Sequence, residues 1–410
     1  MTRRPTDPVA TAIRQAVSVS VATGLYGVSF GALAVAAGLS VWQTQLLSMV
    51  MFTGGSQFAL VGVLGAGGLG SAAVASAALL GARNLLYAVQ LGPILGLRGW
   101  RRLVAAQLTI DESAAVALAQ PPGRAQRVGF WWTGGGVWIC WNALTLLGAW
   151  AGEAMGDPRV WGLDAAAAAA FLGLLWPRLA ARPARAAAAL AGAIALAATP
   201  WLTPGAPVLL ASSAALVVGL VPGGDRPRPS EGPPNASQTS ATSSPNGQGG
   251  GSDTPGNRGQ GAGGDMAGRD RADSGSAGPT VAVGVAVGLA VTATGVMAGA
   301  ATLGLSGSGV WACVLTGCAA CLGLKLIGAH IPRRWLEGDA VSRVLSLVTV
   351  ALLAGLLAVQ TLGQGQGLAM DARLAALAVA GVALRLRAPF ILVVIFAAAT
   401  AAGLRALGCA

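Results

Sequence analysis

Apolar residues fill this chain in blocks long enough to cross a bilayer, and short polar sets interrupt them. A spanning helix needs about 20 mostly apolar residues. Candidate blocks cover 17–39, 44–66, 69–95, 103–119, 128–152, 160–177, 184–202 and 206–222. After a polar gap come 281–304, 307–331, 341–362, 371–386 and 388–408. No block alternates with the two-residue period of a membrane strand, so helices are the spanning elements that satisfy the backbone. The pattern predicts an all-α, polytopic helical membrane protein of about 11–13 membrane segments, with broken or re-entrant helices in its first half.

The gap is residues 223–279, a Gly/Ser/Pro-rich stretch without aromatics that holds five Arg against six acids, a net −1. It has nothing to bury and reads as a disordered linker. Asn235-Ala236-Ser237 within it matches a glycosylation acceptor, but a cytoplasmic linker makes the match accidental. The expected organisation is a cytoplasmic N-terminal segment 1–16, a transport module 17–222, the linker 223–279, an extra transmembrane helix 280–306 and a small membrane module 307–410. Gly284-x-x-x-Gly288 offers that extra helix a packing face.

Composition agrees with the pattern. Hydrophobic residues make up 54% of the 410 and charged residues 10%, against roughly 25% charged in a soluble domain, and the mean hydropathy is +0.66. The net charge of +11 does not point to nucleic acid, because the basic residues sit in short clusters between apolar blocks. These clusters are Arg3-Arg4, Arg98/Arg101/Arg102, Arg124/Arg127, Arg178/Arg182/Arg185, Arg333-Arg334 and Arg385/Arg387. They have the spacing of cytoplasmic loops under the positive-inside rule. Of 26 basic residues only Lys325 is lysine, which looks like the coding bias of a GC-rich genome.

The N-terminal stretch lacks a signal-cleavage pattern, so it reads as a cytoplasmic start. If 44–95 crosses once and 103–119 dips in and returns, every basic loop of the first module faces the cytoplasm. Gly54-Gly55 and the glycines at 62, 65, 67, 68 and 70 provide places to break a helix. The second module then places the C-terminus outside.

Candidate chemistry lies in the polar interruptions, since ionisable groups at membrane depth persist mainly where they serve transport or pair with one another. Gly54-Gly55-Ser56-Gln57 invites a helix break, with free N–H groups of a helix restarting at Ser56 aimed at a ligand. Close packing through small residues is the competing account, but it leaves Gln57 unexplained. Arg83-Asn84, 14 residues into its block (69 to 83), could meet a substrate carboxylate or pair structurally with Asp111 or Glu112. Asp111-Glu112 could bind an α-ammonium or carry a coupled proton, or lie solvated on a surface helix. Lys325 and His330 sit near the end of their block and are expected to snorkel to the interface.

Other motifs carry no chemistry. Gly65-Ala66-Gly67-Gly68-Leu69-Gly70 matches a dinucleotide fingerprint without its βαβ setting. Cys313, Cys318 and Cys321 are expected to act as small packing residues, and no metal ligand set, Walker motif or cofactor site is readable.

Three runs now carry a resemblance. FGALAVAAGLS (30–40), FTGGSQFALVGVL (52–64) and ARNLLYAVQLGP (82–93), followed by Asp111-Glu112, resemble the AzlC-type branched-chain amino-acid export subunit over roughly 15–222. That family usually shows Asn-x-Arg-His where this chain has Gly81-Ala82-Arg83-Asn84; Arg83 is retained. The second module, with VALRLRAPFILVV at 382–394, resembles the small AzlD-type partner. The resemblance implies a natural fusion of two subunits in a bacterial inner membrane. It would export valine, leucine, isoleucine or methionine with the proton gradient, its two modules pairing within one chain and a homo-oligomer left open. Substrate binding falls to Gly54, Gly55, Ser56, Gln57, Arg83 and Asn84, and coupling or ammonium binding to Asp111 and Glu112. The residues alone also suit a channel or importer for small neutral solutes, or a non-transporting scaffold. The topology has a direct test: a cysteine in place of Gly99 is labelled only from the cytoplasmic side, and periplasmic labelling overturns the one-crossing count for 44–95.

Overall fold

The structure, a computed structural model, describes residues 7–156, 160–220, 307–330 and 339–408. The expected linker 223–279, the extra helix 280–306 and Arg333-Arg334 lie outside the described residues. Among these there are sixteen α-helices, one short 3-10 helix and a two-stranded hairpin, and the described residues of the two apolar blocks pack into one unit.

The first helix, α1 (Pro8–Ala36), starts earlier than the hydropathy suggests. The Asp7 carboxylate accepts the Val9 N–H at 3.0 Å and Pro8 takes the first turn, so most of the expected tail 1–16 is helical. α1 lies against the long helix α8 (Arg124–Met155) and runs parallel to it. A Cβ on Gly24 would stand 2.6 Å from that of Cys140, one on Gly31 2.6 Å from Ala149 N, and one on Gly152 3.0 Å from Ala32 Cα. The pairing numbers rise together along both helices. Small residues let the two backbones touch, as in membrane helix pairs that lack a hydrophobic driving force.

Because α1 and α8 point the same way, the chain between them must return to the end where it started. It does so with two half-length hairpins around one broken crossing. α2 (Val41–Met51) and α3 (Gly54–Gly65) dip in and come back, so that Gly65 packs beside Ala37. α4 (Gly70–Gly81) and α5 (Arg83–Leu95) cross, with a break at Ala82. α6 (Trp100–Leu108) and α7 (Asp111–Leu118) form the second hairpin, which enters from the opposite end. Two bonds fix its return: Gln120 Nε2 donates to Gln15 Oε1 at 2.9 Å, and Arg127 Nε to Ile94 O at 3.1 Å. The expected segments 44–66, 69–95 and 103–119 are therefore each two helices, with 44–95 making one net crossing.

α9 (Leu163–Leu175) continues into the 3-10 turn Trp176–Ala180, followed by α10 (Arg182–Ala198). The expected span 206–222 is split at Ser212 into α11 (Ala206–Ala211) and α12 (Ser213–Leu220). The second block supplies α13 (Gly307–His330), α14 (Asp339–Leu362), a hairpin β1 (Gly363–Gln364) with β2 (Gly367–Leu368), α15 (Ala372–Arg385) and α16 (Phe390–Ala406). α13 runs beside and parallel to α4 and α5. Cys313 Sγ donates to Gly70 O, Cys321 Sγ to Ala77 O, and Gly328 backs onto Leu85. Among the described residues, five helical stretches are long and apolar enough to span a membrane: Pro8–Ala36, Gly70–Leu95, Leu163–Ala180, Gly309–His330 and Arg343–Leu362. Trp42, Trp201 and Trp161 are exposed at one end of the bundle and Trp100 at the other, where interfacial aromatics belong. The molecule is a multi-pass membrane protein.

The glycine seam predicts the response to one added methyl. A Cβ on Gly148 would run into the backbone of Val28, whereas one on Gly135 meets nothing within 4 Å. Gly148→Ala should destabilise the bundle by about 1–3 kcal/mol, read as a lower melting temperature in detergent, and Gly135→Ala should leave it unchanged.

Candidate functional site

A helix that ends inside the bilayer leaves its last carbonyls without partners, and hydrocarbon offers no water to replace them. Side chains carried by other helices take that place here. The break after α2 falls at Phe52, whose φ of +35° is unusual for a residue with a side chain. Gln57 Nε2 donates to Leu47 O and Ser48 O at 3.1 and 3.2 Å. Gln107 Nε2 donates to Met49 O and Val50 O at 2.9 and 3.0 Å, and Lys325 Nζ to Phe52 O at 2.8 Å.

The end of α6 is closed in the same way. Thr109 supplies its hydroxyl to Ala105 O at 2.8 Å and its N–H to Ala106 O at 3.2 Å. Lys325 donates to Gln107 O at 2.9 Å, and the Ser113 hydroxyl to Leu108 O at 2.8 Å. Leu47 to Val50 and Phe52 at the end of α2, and Ala105 to Leu108 at the end of α6, thus have partners for their carbonyls.

The opposite ends of the half-helices, their N-termini, converge on a cavity of about 110 Å³. Thr53, Gly54 and Gly55 bring the start of α3 to it, Arg83 the start of α5, and Ile110, Asp111 and Glu112 the start of α7. Arg178, from the 3-10 turn after α9, completes the charged part. Arg83 Nη1 and Arg178 Nη2 both reach Asp111 Oδ2, at 2.9 and 3.1 Å. Glu112 forms no ion pair among the described residues. Phe58, Leu80, Val137, Trp141, Leu174 and Leu353 form the apolar wall. Several polar atoms of the lining are buried without a hydrogen-bond partner: Asp111 Oδ1, Arg83 Nε and Trp141 Nε1. Buried polar atoms are rarely left so, and these three belong to residues that line one cavity.

The sequence-derived candidates thus separate. Gly54, Gly55, Arg83, Asp111 and Glu112 meet around one cavity. Ser56, Gln57 and Asn84 stand behind it. Gln57 holds the end of α2, and Asn84 Nδ2 donates to Thr53 Oγ1 at 3.1 Å, tying the start of α3 to that of α5. Ser56 Oγ faces Gly81, 3.2 Å from where a Cβ would lie there. The expected restart at Ser56 is corrected as well: α3 starts at Gly54, and both glycines are helical. Their role is close approach. A Cβ on Gly55 would lie 2.9 Å from Arg83 Nη2, and one on Gly54 3.2 Å from the Trp141 ring.

Lys325 does not snorkel. It is 0% exposed, because the carbonyls of Phe52 and Gln107 offer its ammonium a nearer polar partner than the interface does. His330 keeps to the helix end, its Nδ1 2.8 Å from Leu326 O.

Sequence reasoning missed Arg178, which reads as one of an ordinary basic loop cluster; only the fold carries it to Asp111. It also missed Asp164, which pairs across the two blocks with Arg405 at 2.7 Å and Arg373 at 3.3 Å. Asp164 and Arg373 line a second cavity of about 290 Å³ at the end of the bundle that holds Ala37, Gly65 and the β1–β2 hairpin. Phe58 lines both cavities. It packs edge-on against Phe171 at 6.4 Å between ring centroids. Sequence offers little signal for this pair, because Asp164 and Arg405 are 241 residues apart.

Comparison with known families agrees with this architecture. Residues 18–155, from α1 to the end of α8, match the family described as AzlC protein. Residues 310–405, from α13 to α16, match the family described as branched-chain amino acid transport protein (AzlD). No curated protein and no solved structure matches the chain. One polypeptide thus carries a segment that matches the AzlC family and a segment that matches the AzlD branched-chain amino acid transport family.

Proposed function

We propose that this protein is a secondary exporter of the branched-chain amino acids valine, leucine and isoleucine, with methionine left open as a further substrate, driven by the proton gradient across a bacterial inner membrane. The observation that carries this reading is the cavity where three half-helix N-termini meet two arginines, two carboxyl groups and an aliphatic and aromatic wall. A zwitterion with an apolar side chain needs such a combination. Positive helix ends favour a carboxylate, and discontinuous helices near the midplane are a recurrent way to present them.

In this reading the N–H groups at Gly54 and Gly55, with Arg83 and Arg178, hold the substrate carboxylate. Asp111 positions both arginines through a single oxygen, Oδ2, and its Oδ1 faces the ammonium. Glu112, without an ion pair among the described residues, accepts the coupling proton or shares the ammonium. Phe58, Leu80, Val137, Trp141, Leu174 and Leu353 take the side chain.

Orientation follows from charge. The end of the bundle that holds the start of α1 also carries Arg98, Arg101, Arg102, Arg124 and Arg127, and the positive-inside rule supports reading it as the cytoplasmic end. The 290 Å³ cavity then lies on the periplasmic side as the release vestibule, with Phe58 as the partition between it and the binding cavity. The C-terminus is periplasmic.

Two outcomes test the reading. Cells lacking the protein and fed an isoleucine-containing dipeptide should accumulate more internal isoleucine than cells that have it; equal accumulation removes the substrate assignment. Arg83→Gln should lower efflux by about tenfold or more, which corresponds to an interaction of roughly 1.4 kcal/mol or more. Its amount in the membrane should be unchanged, since Asp111 keeps Arg178, and normal efflux takes Arg83 out of the site. Measuring flux in both directions in vesicles separates an exporter from an importer.

A further inference from the structure

The binding cavity gathers the positive ends of the half-helices, and the structure gathers negative ends elsewhere. Phe52 O closes α2 and Gln107 O belongs to the last turn of α6. These are the C-terminal ends of the two hairpins' first arms. They lie close enough together for one nitrogen, Lys325 Nζ, to bond both, at 2.8 and 2.9 Å. The Phe52 ring stands 5.3 Å from the same nitrogen, within reach of a cation–π contact.

We propose that this is a monovalent-cation site permanently filled by a tethered ammonium. Four features support it. The donors are backbone carbonyls at helix C-termini, where the macrodipole favours positive charge. Unwound carbonyls and half-helix C-termini are the groups that discontinuous-helix transporters present to a coupling sodium ion or proton. Lys325 forms no ion pair among the described residues, so dipoles replace a carboxylate as its counter-charge, which burial of an ammonium requires. Finally, the ligand arrives from outside the module that builds the site. The carbonyls belong to the AzlC segment, and the ammonium rides on α13 of the AzlD segment.

Lys325 is therefore a positioning residue. It joins the tips of two hairpins that enter from opposite ends of the bundle, and those tips carry Thr53 to Gly55 and Ile110 to Glu112 to the cavity. A free metal ion at this point is redundant. The AzlD segment contributes an internal cation to a site that is otherwise complete in the AzlC segment.

The test does not depend on knowing the transported substrate. The full chain is purified in detergent as wild type, Lys325→Ala and Lys325→Met, and melting is followed in sodium chloride, choline chloride and methylammonium chloride. The wild type should melt at the same temperature in sodium and choline, because its site is filled. Lys325→Ala opens the site and should melt several degrees lower. Methylammonium, present from solubilisation onward, should recover most of that loss and raise the yield of folded protein. Lys325→Met fills the space without charge and should be destabilised but indifferent to methylammonium. A sodium-dependent rise in wild-type melting overturns the proposal. So does a Lys325→Ala protein that melts like wild type, or one that methylammonium fails to rescue in both melting and yield. Since no flux is measured, failure here leaves the exporter reading standing, and failure of the flux tests leaves this site standing.

Discussion

Breaking a helix inside a bilayer exposes carbonyl and amide groups that must be satisfied by protein, and the rest of this molecule is arranged around that requirement. α2 and α6 stop at membrane depth, and their last carbonyls are taken by Gln57, Gln107, Thr109, Ser113 and Lys325. Each of these side chains comes from another element or from the turn itself. Gln57, Thr109 and Ser113 act within their own hairpins, and Gln107 and Lys325 bring caps from outside, so local and tertiary contacts hold the breaks together. An orphaned carbonyl in hydrocarbon costs several kcal/mol, so the set of caps stands or falls together.

Once the breaks exist, their polarity sorts charge. Half-helix N-termini collect around Arg83, Arg178, Asp111 and Glu112, and the C-termini of α2 and α6 collect around Lys325. One wall of the hairpin tips thus suits an anionic group and the other a cation, separated by the thickness of a backbone. The glycines at 54 and 55 belong to this sorting: a side chain at Gly55 would push the Arg83 guanidinium away from the start of α3.

Much of this was legible in the sequence. Apolar blocks separated by arginine loops predict a helical membrane bundle, and the polar sets at 54–57, 83–84 and 111–112 do mark the half-helix breaks. The finer geometry was hidden for identifiable reasons. Gly54-Gly55 looks like the break because glycine frees the backbone, yet the turn falls at Phe52, whose positive φ is held by a partner 273 residues away. Gln57 looks like a ligand group for the same reason that it makes a good cap: a buried amide must bond something. Arg178 and Asp164 carry no local signal, because their meaning depends on which helices the fold brings together. Lys325 illustrates the limit well. Position within a block suggests snorkelling, and only the location of two carbonyls shows why its ammonium turns inward.

The two hairpins enter from opposite faces, and that geometry bears on how large a motion the protein needs. In bundles whose spans all cross, access to either face requires tilting whole helices, and half the molecule must move against the other half. Here α2–α3 and α6–α7 each cover only one half of the thickness, while α1 and α8 are seated backbone to backbone by Gly24, Gly31, Gly148 and Gly152. Gln107 and Lys325 bond the two tips to each other, so the hairpins form one unit set within that frame. The area between this unit and the frame is that of four short arms, so viscous drag from lipid and the lateral pressure of the bilayer weigh on it far less than on a rocking bundle.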